Sequence, residues 1–113
     1  MVSRFADRVY ELVSEVPAGK VTTYGDVAYA MGEPESSRGV GAALRANPKP
    51  IVVPCHRVVM SSGELGGYGG PKGTPKKARL LRGEGVRVEG GRVDLSEYLF
   101  SWRRGRRAAS SPA

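Results

Sequence analysis

Thr23-Tyr24-Gly25-Asp26-Val27-Ala28-Tyr29-Ala30-Met31-Gly32-Glu33-Pro34-Glu35-Ser36-Ser37-Arg38-Gly39-Val40-Gly41-Ala42-Ala43-Leu44-Arg45-Ala46 is the stretch from which the fold can be read. Thr23 stands where an N-cap would, with Asp26 three residues on as a short version of the capping box. The helix it opens runs from about Tyr24 to Met31 and buries Val27, Ala30 and Met31. Gly32-Glu33-Pro34 then makes the turn. Ser36 or Ser37 caps a second short helix, Arg38 to Ala46, which Asn47-Pro48 stops. Two short helices joined by such a turn outline a helix-turn-helix. The second helix is slim, with Gly39, Gly41, Ala42, Ala43 and Ala46 along it. A slim helix approaches another backbone closely, and the residues alone leave open whether that backbone is the protein's own or a nucleic acid's. Arg38 and Arg45 are its reaching side chains.

Upstream, Phe5, Val9, Leu12, Val13 and Val16 form one stripe of a 3.6-residue period and predict an amphipathic helix over 3–16, ended by Pro17-Ala18-Gly19. Downstream, Pro48, Pro50 and Pro54 bracket Ile51-Val52-Val53, read as a short apolar strand leading to Cys55. Arg57-Val58-Val59-Met60 and a strand near Leu65 flank Ser61-Ser62-Gly63-Glu64, a hairpin turn. A hairpin after a helix-turn-helix suggests a winged-helix layout. Gly66-Gly67-Tyr68-Gly69-Gly70 is glycine-rich but lacks the phosphate-loop pattern. Its glycines instead let backbone amides approach a flat ligand while the tyrosine lines the pocket. Thr74 caps a last clear helix with Pro75 at its first position. That helix carries Ala78, Leu80 and Leu81 inward and Lys76, Lys77, Arg79 and Arg82 outward, as a solvated face or a track for phosphates. Val86-Arg87-Val88 and Arg92-Val93 around Gly90-Gly91 form a second hairpin, and the aromatics of Asp94–Trp102 return to the first helix. The fold class is mostly α with small β hairpins, a winged helix-turn-helix-like domain over 1–102, followed by a disordered basic tail over 103–113.

A chain of 113 residues holds one domain with a modest core. Its formal charge of +7 favours a polyanionic partner, nucleic acid first. Arg103, Arg104, Arg106 and Arg107 supply four of those charges, and without them the balance is +3, so charge supports this reading without deciding it. A single cysteine excludes an intrachain disulfide and suits a reducing compartment, which makes a cytoplasmic, nucleoid-associated location the expectation. No apolar run approaches a membrane span and no signal peptide is visible. One histidine and one cysteine cannot hold zinc without carboxylates, so neither metal nor cofactor is expected. Those two residues, Cys55 and His56, are neighbours. A thiolate is the useful nucleophile, and a base or cation nearby supplies it. Adjacent side chains usually diverge, however, so a buried structural cysteine beside a solvated histidine remains open on the residues alone.

Taken in order, Gly19-Lys20-Val21-Thr22-Thr23-Tyr24-Gly25-Asp26-Val27-Ala28, Arg38-Gly39-Val40-Gly41, Asn47-Pro48, Val53-Pro54-Cys55-His56-Arg57-Val58-Val59, Gly66-Gly67-Tyr68 and Leu80-Leu81-Arg82-Gly83-Glu84-Gly85 carry a resemblance. Over roughly residues 5–88 the chain resembles the C-terminal DNA-binding and active-site domain of the O6-alkylguanine-DNA alkyltransferases. The resemblance implies minor-groove binding to double-stranded DNA by a monomer, with the alkylated guanine swung out of the stack. It implies that Cys55 accepts the alkyl group once, that His56 takes the thiol proton through a water, and that Glu84 orients His56. It makes Arg38 the finger that fills the vacated space, and Tyr24 the ring that crowds a phosphate. Thr23, Gly39, Gly41, Ala42 and Arg45 complete the DNA face. Asn47 braces the turn before the cysteine. Pro50, Tyr68 and Gly69, with Tyr24, line the guanine pocket, and Val58 contributes a backbone acceptor there. Two departures matter. The family's usual N-terminal domain is not expected, since the chain begins at the first helix of the C-terminal one. The ending from Glu84 to Trp102 resembles the alkyltransferase-like proteins, which bind the lesion and recruit nucleotide excision repair, typically with Trp or Ala where this chain has Cys55. A transferase is therefore the leading expectation, a lesion sensor the second and a plain winged-helix regulator the third.

Overall fold

A computed structural model describes residues 4–49, 51–68 and 73–103. Helix α1, Arg4–Val13, turns Val9, Leu12 and Val13 into the core, and Val16 follows them from the turn beyond. Strand β1, Thr22–Thr23, leads straight into α2, Tyr24–Ala30. Thr23 caps α2 as its position predicts: its Oγ1 accepts the Asp26 N–H at 3.0 Å and donates to Asp26 Oδ2 at 2.6 Å. The helix closes one residue early, so Ala30 and Met31 are only partly buried, and Ala28 takes the fully buried place beside Val27. Helix α3, Ser37–Arg45, follows a 3₁₀ turn over Pro34–Ser36. No serine hydroxyl caps it, contrary to expectation, because the 3₁₀ turn feeds the backbone directly into the helix.

The strand expected over Ile51–Val53 is absent. Pro48 and Pro54 lack the N–H that a ladder requires. The backbone instead closes a turn in which Val53 N donates to Lys49 O at 2.9 Å and Ile51 takes a positive φ of 76°. This leaves Val52 75% exposed. The real strand comes after the cysteine. β2, Val58–Val59, pairs in parallel with β1, Thr22 opposite Val58 and Thr23 opposite Val59. Successive strand side chains face opposite ways. Val58 therefore joins the cluster of α1, α2 and α3, while Val59 joins Val21, Leu65, Leu81, Val86, Val88 and Val93.

The Ser61–Glu64 turn forms, with Met60 N donating to Glu64 O at 2.9 Å, but Leu65 N bonds onward to Gly91 O at 3.0 Å. The wing is thus a set of short bridges and not one simple hairpin. Its second turn has φ of 59° at Gly90 and 73° at Gly91, the left-handed pair that a two-residue I′ turn requires. Glu89 and Arg92 exchange both hydrogen bonds across it at 3.0 Å.

Helix α4, Thr74–Gly83, starts at Thr74 and does not use it as a cap; the hydroxyl donates to Gly66 O at 2.9 Å. Lys77, expected outward, is buried, and Leu80 is only partly so. Helix α5, Leu95–Tyr98, is capped by Asp94, which accepts from Ser96 N. The chain then runs back beside β1, with Phe100 N donating to Val21 O at 2.7 Å. Ser101 Oγ donates to Asp26 Oδ1 at 2.9 Å, Trp102 Nε1 donates to Glu15 Oε1 at 2.9 Å, and Arg103 Nε lies 3.2 Å from Asp26 Oδ1. Arg103, expected in a disordered tail, therefore belongs to the fold; residues 104–113 lie outside the described residues. The described architecture is helix-rich with one two-stranded parallel sheet, in keeping with a helix-turn-helix domain.

Candidate active site

Pro54 sets the site. With φ −78° and ψ 64° it centres an inverse γ-turn, and Cys55 N donates to Val53 O at 2.7 Å. A 3₁₀ turn over Cys55–Arg57 follows and sends the neighbouring side chains different ways. Cys55 is half-buried at a cavity wall, while His56 behind it is 1% exposed. Asn47 Nδ2 donates to Val53 O at 3.1 Å and to Cys55 Sγ at 3.5 Å, and its Oδ1 accepts from Lys49 N at 2.9 Å. One amide thus ties both ends of the proline-bracketed loop to the sulfur.

His56 Nε2 lies 3.0 Å from Glu84 Oε2, just past the end of α4. Arg57 grips the same carboxylate from the side: Nε donates to Oε1 at 2.9 Å and Nη2 to Oε2 at 2.6 Å. Its Nη1 donates to Val16 O at 2.8 Å. Burial pushes the imidazole below its ordinary value, against the pull of Glu84. Burial alone would raise the Glu84 carboxyl, but hydrogen bonds from Arg57 and His56 outweigh it and hold the group below the usual carboxylate range. An ionised Glu84 accepts the Nε2 proton of a neutral ring, which leaves Nδ1 as the lone-pair nitrogen. Nδ1 is buried and has no hydrogen-bond partner among the described residues. Nδ1 is thus the ring nitrogen with a lone pair able to accept a proton.

The cavity has a volume of about 620 Å³ and is lined by Tyr24, Arg38, Gly41, Arg45, Cys55 and Tyr68 among others. Arg38 and Arg45 are exposed at its mouth, and Tyr68 stands edge-on to His56 with ring centroids 6.4 Å apart. Ala42 is exposed on the outer face of α3. Gly39 turns inward, where an added Cβ would meet Phe5 Cζ at 3.1 Å. The slimness of α3 is thus shared: Gly39 serves packing on α1, and Gly41 and Ala42 shape the outer surface. Thr23 does not join the outer face, because its side chain is buried and its hydroxyl serves Asp26. The Val58 side chain fills the core, and only its backbone is expected to serve the pocket. Pro50 and Gly69 lie outside the described residues.

Arg57 has no role assigned from the sequence, and Lys77 is expected on the outward face. Lys77 sits four residues before Leu81 and one before Ala78, so helical spacing alone places it on the inward face; its charge argued the other way. Among the described residues no group of three or more His, Cys, Asp or Glu could hold a metal ion, and no helix is long and apolar enough to cross a membrane.

Residues 4–86 match the family described as 6-O-methylguanine DNA methyltransferase, DNA binding domain. The chain belongs to this family. The methylated-DNA–protein-cysteine methyltransferase of Methanothermobacter thermautotrophicus is 47% identical over 89 residues, 78% of this chain and 48% of that protein. The chain spans less than half the length of the curated relatives it matches. Among solved structures it is similar to Mycobacterium tuberculosis OGT in complex with DNA, with a TM-score of 0.69 and 39% identity over 74% of this chain and 51% of that one. It is also similar to S. pombe Atl1 in complex with damaged DNA containing O6-carboxymethylguanine, with a TM-score of 0.79 and 33% identity over 89% of this chain and 98% of that one.

Proposed function

We propose that this chain binds double-stranded DNA containing O6-alkylguanine through α3 and transfers the alkyl group to Cys55. The observation that carries the reading is the single cysteine at the wall of a cavity walled by Tyr24 and Tyr68, with His56 and Glu84 in line behind it. In the proposed step His56 takes the thiol proton through a bridging water. The sulfur attacks the alkyl carbon, an S–C bond forms as the C–O6 bond breaks, and the electron pair stays with guanine, which recovers a proton. The thioether has no leaving group to restore the thiol, so each molecule acts once. Arg38 enters the space of the displaced base, and the thin outer edge of α3 suits the narrow minor groove. Such a reader touches few distinguishing base edges, which suits a lesion that arises in any sequence.

A second reading has its own support, since the likeness to Atl1 extends over nearly the whole of that chain. In it the chain grips the lesion and recruits excision-repair proteins without transfer. Intact-protein mass after incubation with a duplex carrying one O6-methylguanine separates the two. A gain of one methylene, mapped to Cys55 and saturating at one per chain, is the expected result. Tight lesion-selective binding with no gain would establish the sensor instead. Cys55→Ala should abolish the gain and keep lesion binding; equal loss of both would make Cys55 structural.

A further inference from the structure

We propose that Tyr10 is a positioning residue for Cys55, its hydroxyl holding the end of α3 in the tight turn that aims Asn47 at the sulfur. The inference rests on the reading of Cys55 as the alkyl acceptor. Tyr10 stands on α1, and its hydroxyl donates to Ala43 O on α3 at 2.7 Å, across 33 positions of sequence. The last carbonyls of an α-helix lack the usual amide donors and are met by a tightened turn, a side chain or water. At this end Ala46 N donates to Ala42 O at 3.1 Å, the ordinary helical step of four. The same step would bring Asn47 N to Ala43 O. Asn47 N donates instead to Leu44 O at 3.1 Å, a 3₁₀ step of three. Among the described residues no backbone amide meets Ala43 O, and Tyr10 supplies its donor from another helix.

That exchange decides where Asn47 points. Its Nδ2 donates to Val53 O at 3.1 Å and to Cys55 Sγ at 3.5 Å, while its Oδ1 accepts from Lys49 N at 2.9 Å. The residue that skips the helical bond is therefore the one that reaches the sulfur. Tyr10→Phe would leave the Ala43 carbonyl without its donor, at a cost in free energy. The nearest remedy is the Asn47 N–H. Moving it from Leu44 O to Ala43 O winds Asn47 into the helix and turns its side chain off the sulfur. α1 thus meets α3 at two places about one turn apart, Phe5 under Gly39 and Tyr10 at Ala43. The first contact is packing; the second selects between two hydrogen-bond patterns at the helix end.

Tyr10→Phe removes one oxygen and keeps the ring. Its NMR spectrum should show the Asn47 side-chain amide displaced from its wild-type position. Cys55 is the sole thiol, so iodoacetamide reports on it alone. Alkylation at pH 7 should slow about fivefold in Tyr10→Phe, the size of one net hydrogen bond to the sulfur. Asn47→Ala should slow it as well, and adding Tyr10→Phe to Asn47→Ala should slow it no further. Additive losses in the double variant, or an unmoved Asn47 side-chain amide in Tyr10→Phe, would overturn the proposal and make Tyr10 a packing residue. Should Tyr10→Phe not fold, the wild-type chain decides, because coupling is reciprocal. Capping Cys55 with iodoacetamide should then shift the Ala43 carbonyl and Tyr10 ring signals, and unmoved signals would sink the idea. None of these readouts uses DNA. A chain that meets them yet gains no methylene from damaged DNA would count against the transferase reading alone.

Discussion

His56 and Glu84 titrate in separate windows. Unfolded, the imidazole binds its proton near the ordinary value of 6.5; folded, burial resists it. The unfolded chain therefore holds more protons just below pH 6.5, and stability should drop as pH falls through that range. Glu84 acts lower, because its depressed carboxyl contributes stability that is present above about 4.5 and lost as pH falls through its folded value. Urea midpoints at pH 7.5 and 5.5 test the first window, and the difference should shrink in His56→Gln. Arg38 offers the complementary case. It is exposed at the start of α3, so Arg38→Ala should change stability by no more than about 0.5 kcal/mol. Transfer should nevertheless slow by roughly tenfold or more, the loss of about one charge-assisted contact. Unfolding by this substitution would show that Arg38 holds the domain together. At this scale the sequence was readable only in part. Cys55 and His56 stand out as single residues of their kinds, but Glu84 is 28 positions from His56, and no local pattern joins them without the family resemblance. Lys77 reads as outward by its charge, whereas its helical phase, four residues before Leu81, turns it inward.

The elements were more legible where local chemistry determines them. The α1 stripe, the Thr23–Asp26 cap and the Gly90-Gly91 turn each follow from a rule that acts within a few residues. The Ile51–Val53 segment failed because strand formation depends on a partner, which a one-dimensional pattern does not reveal. The use of small residues on α3 was likewise undecided, and Gly41 makes it testable. An added Cβ there would come no closer than 3.9 Å to Tyr24. Gly41→Ala should therefore gain about 0.5–1 kcal/mol from helix propensity. The new methyl would also stand on the cavity wall, and lesion binding should weaken. A rise in melting temperature with weaker binding is the expected pair. Unchanged binding would mean that no ligand passes this face.

For the molecule as a whole, Asp26 joins the beginning to the end. Its carboxylate is 1% exposed and is met by Thr23 at the N-cap of α2, and by Ser101 and Arg103 from much later in the chain. Ser101→Ala removes one donor from a buried carboxylate, at a cost of about 1–2 kcal/mol. A melting temperature lower by about 5 °C or more is expected for a domain of this size. A shift under one degree would show that the closing segment is only decoration. No local pattern announces this clasp, since Ser101 and Asp26 are 75 positions apart and Arg103 reads as the first residue of a basic tail. The clasp also bears on biosynthesis. Translation proceeds from the N-terminus, and early segments can settle before late ones exist. A nascent chain halted before Ser101 already contains Tyr24, Arg38, Cys55, His56, Lys77 and Glu84, yet Asp26 still lacks the two partners that bring the chain back across α2. The fold would then close across α2 only once residues 101–103 are in place, after Cys55, His56 and Glu84 have all been made.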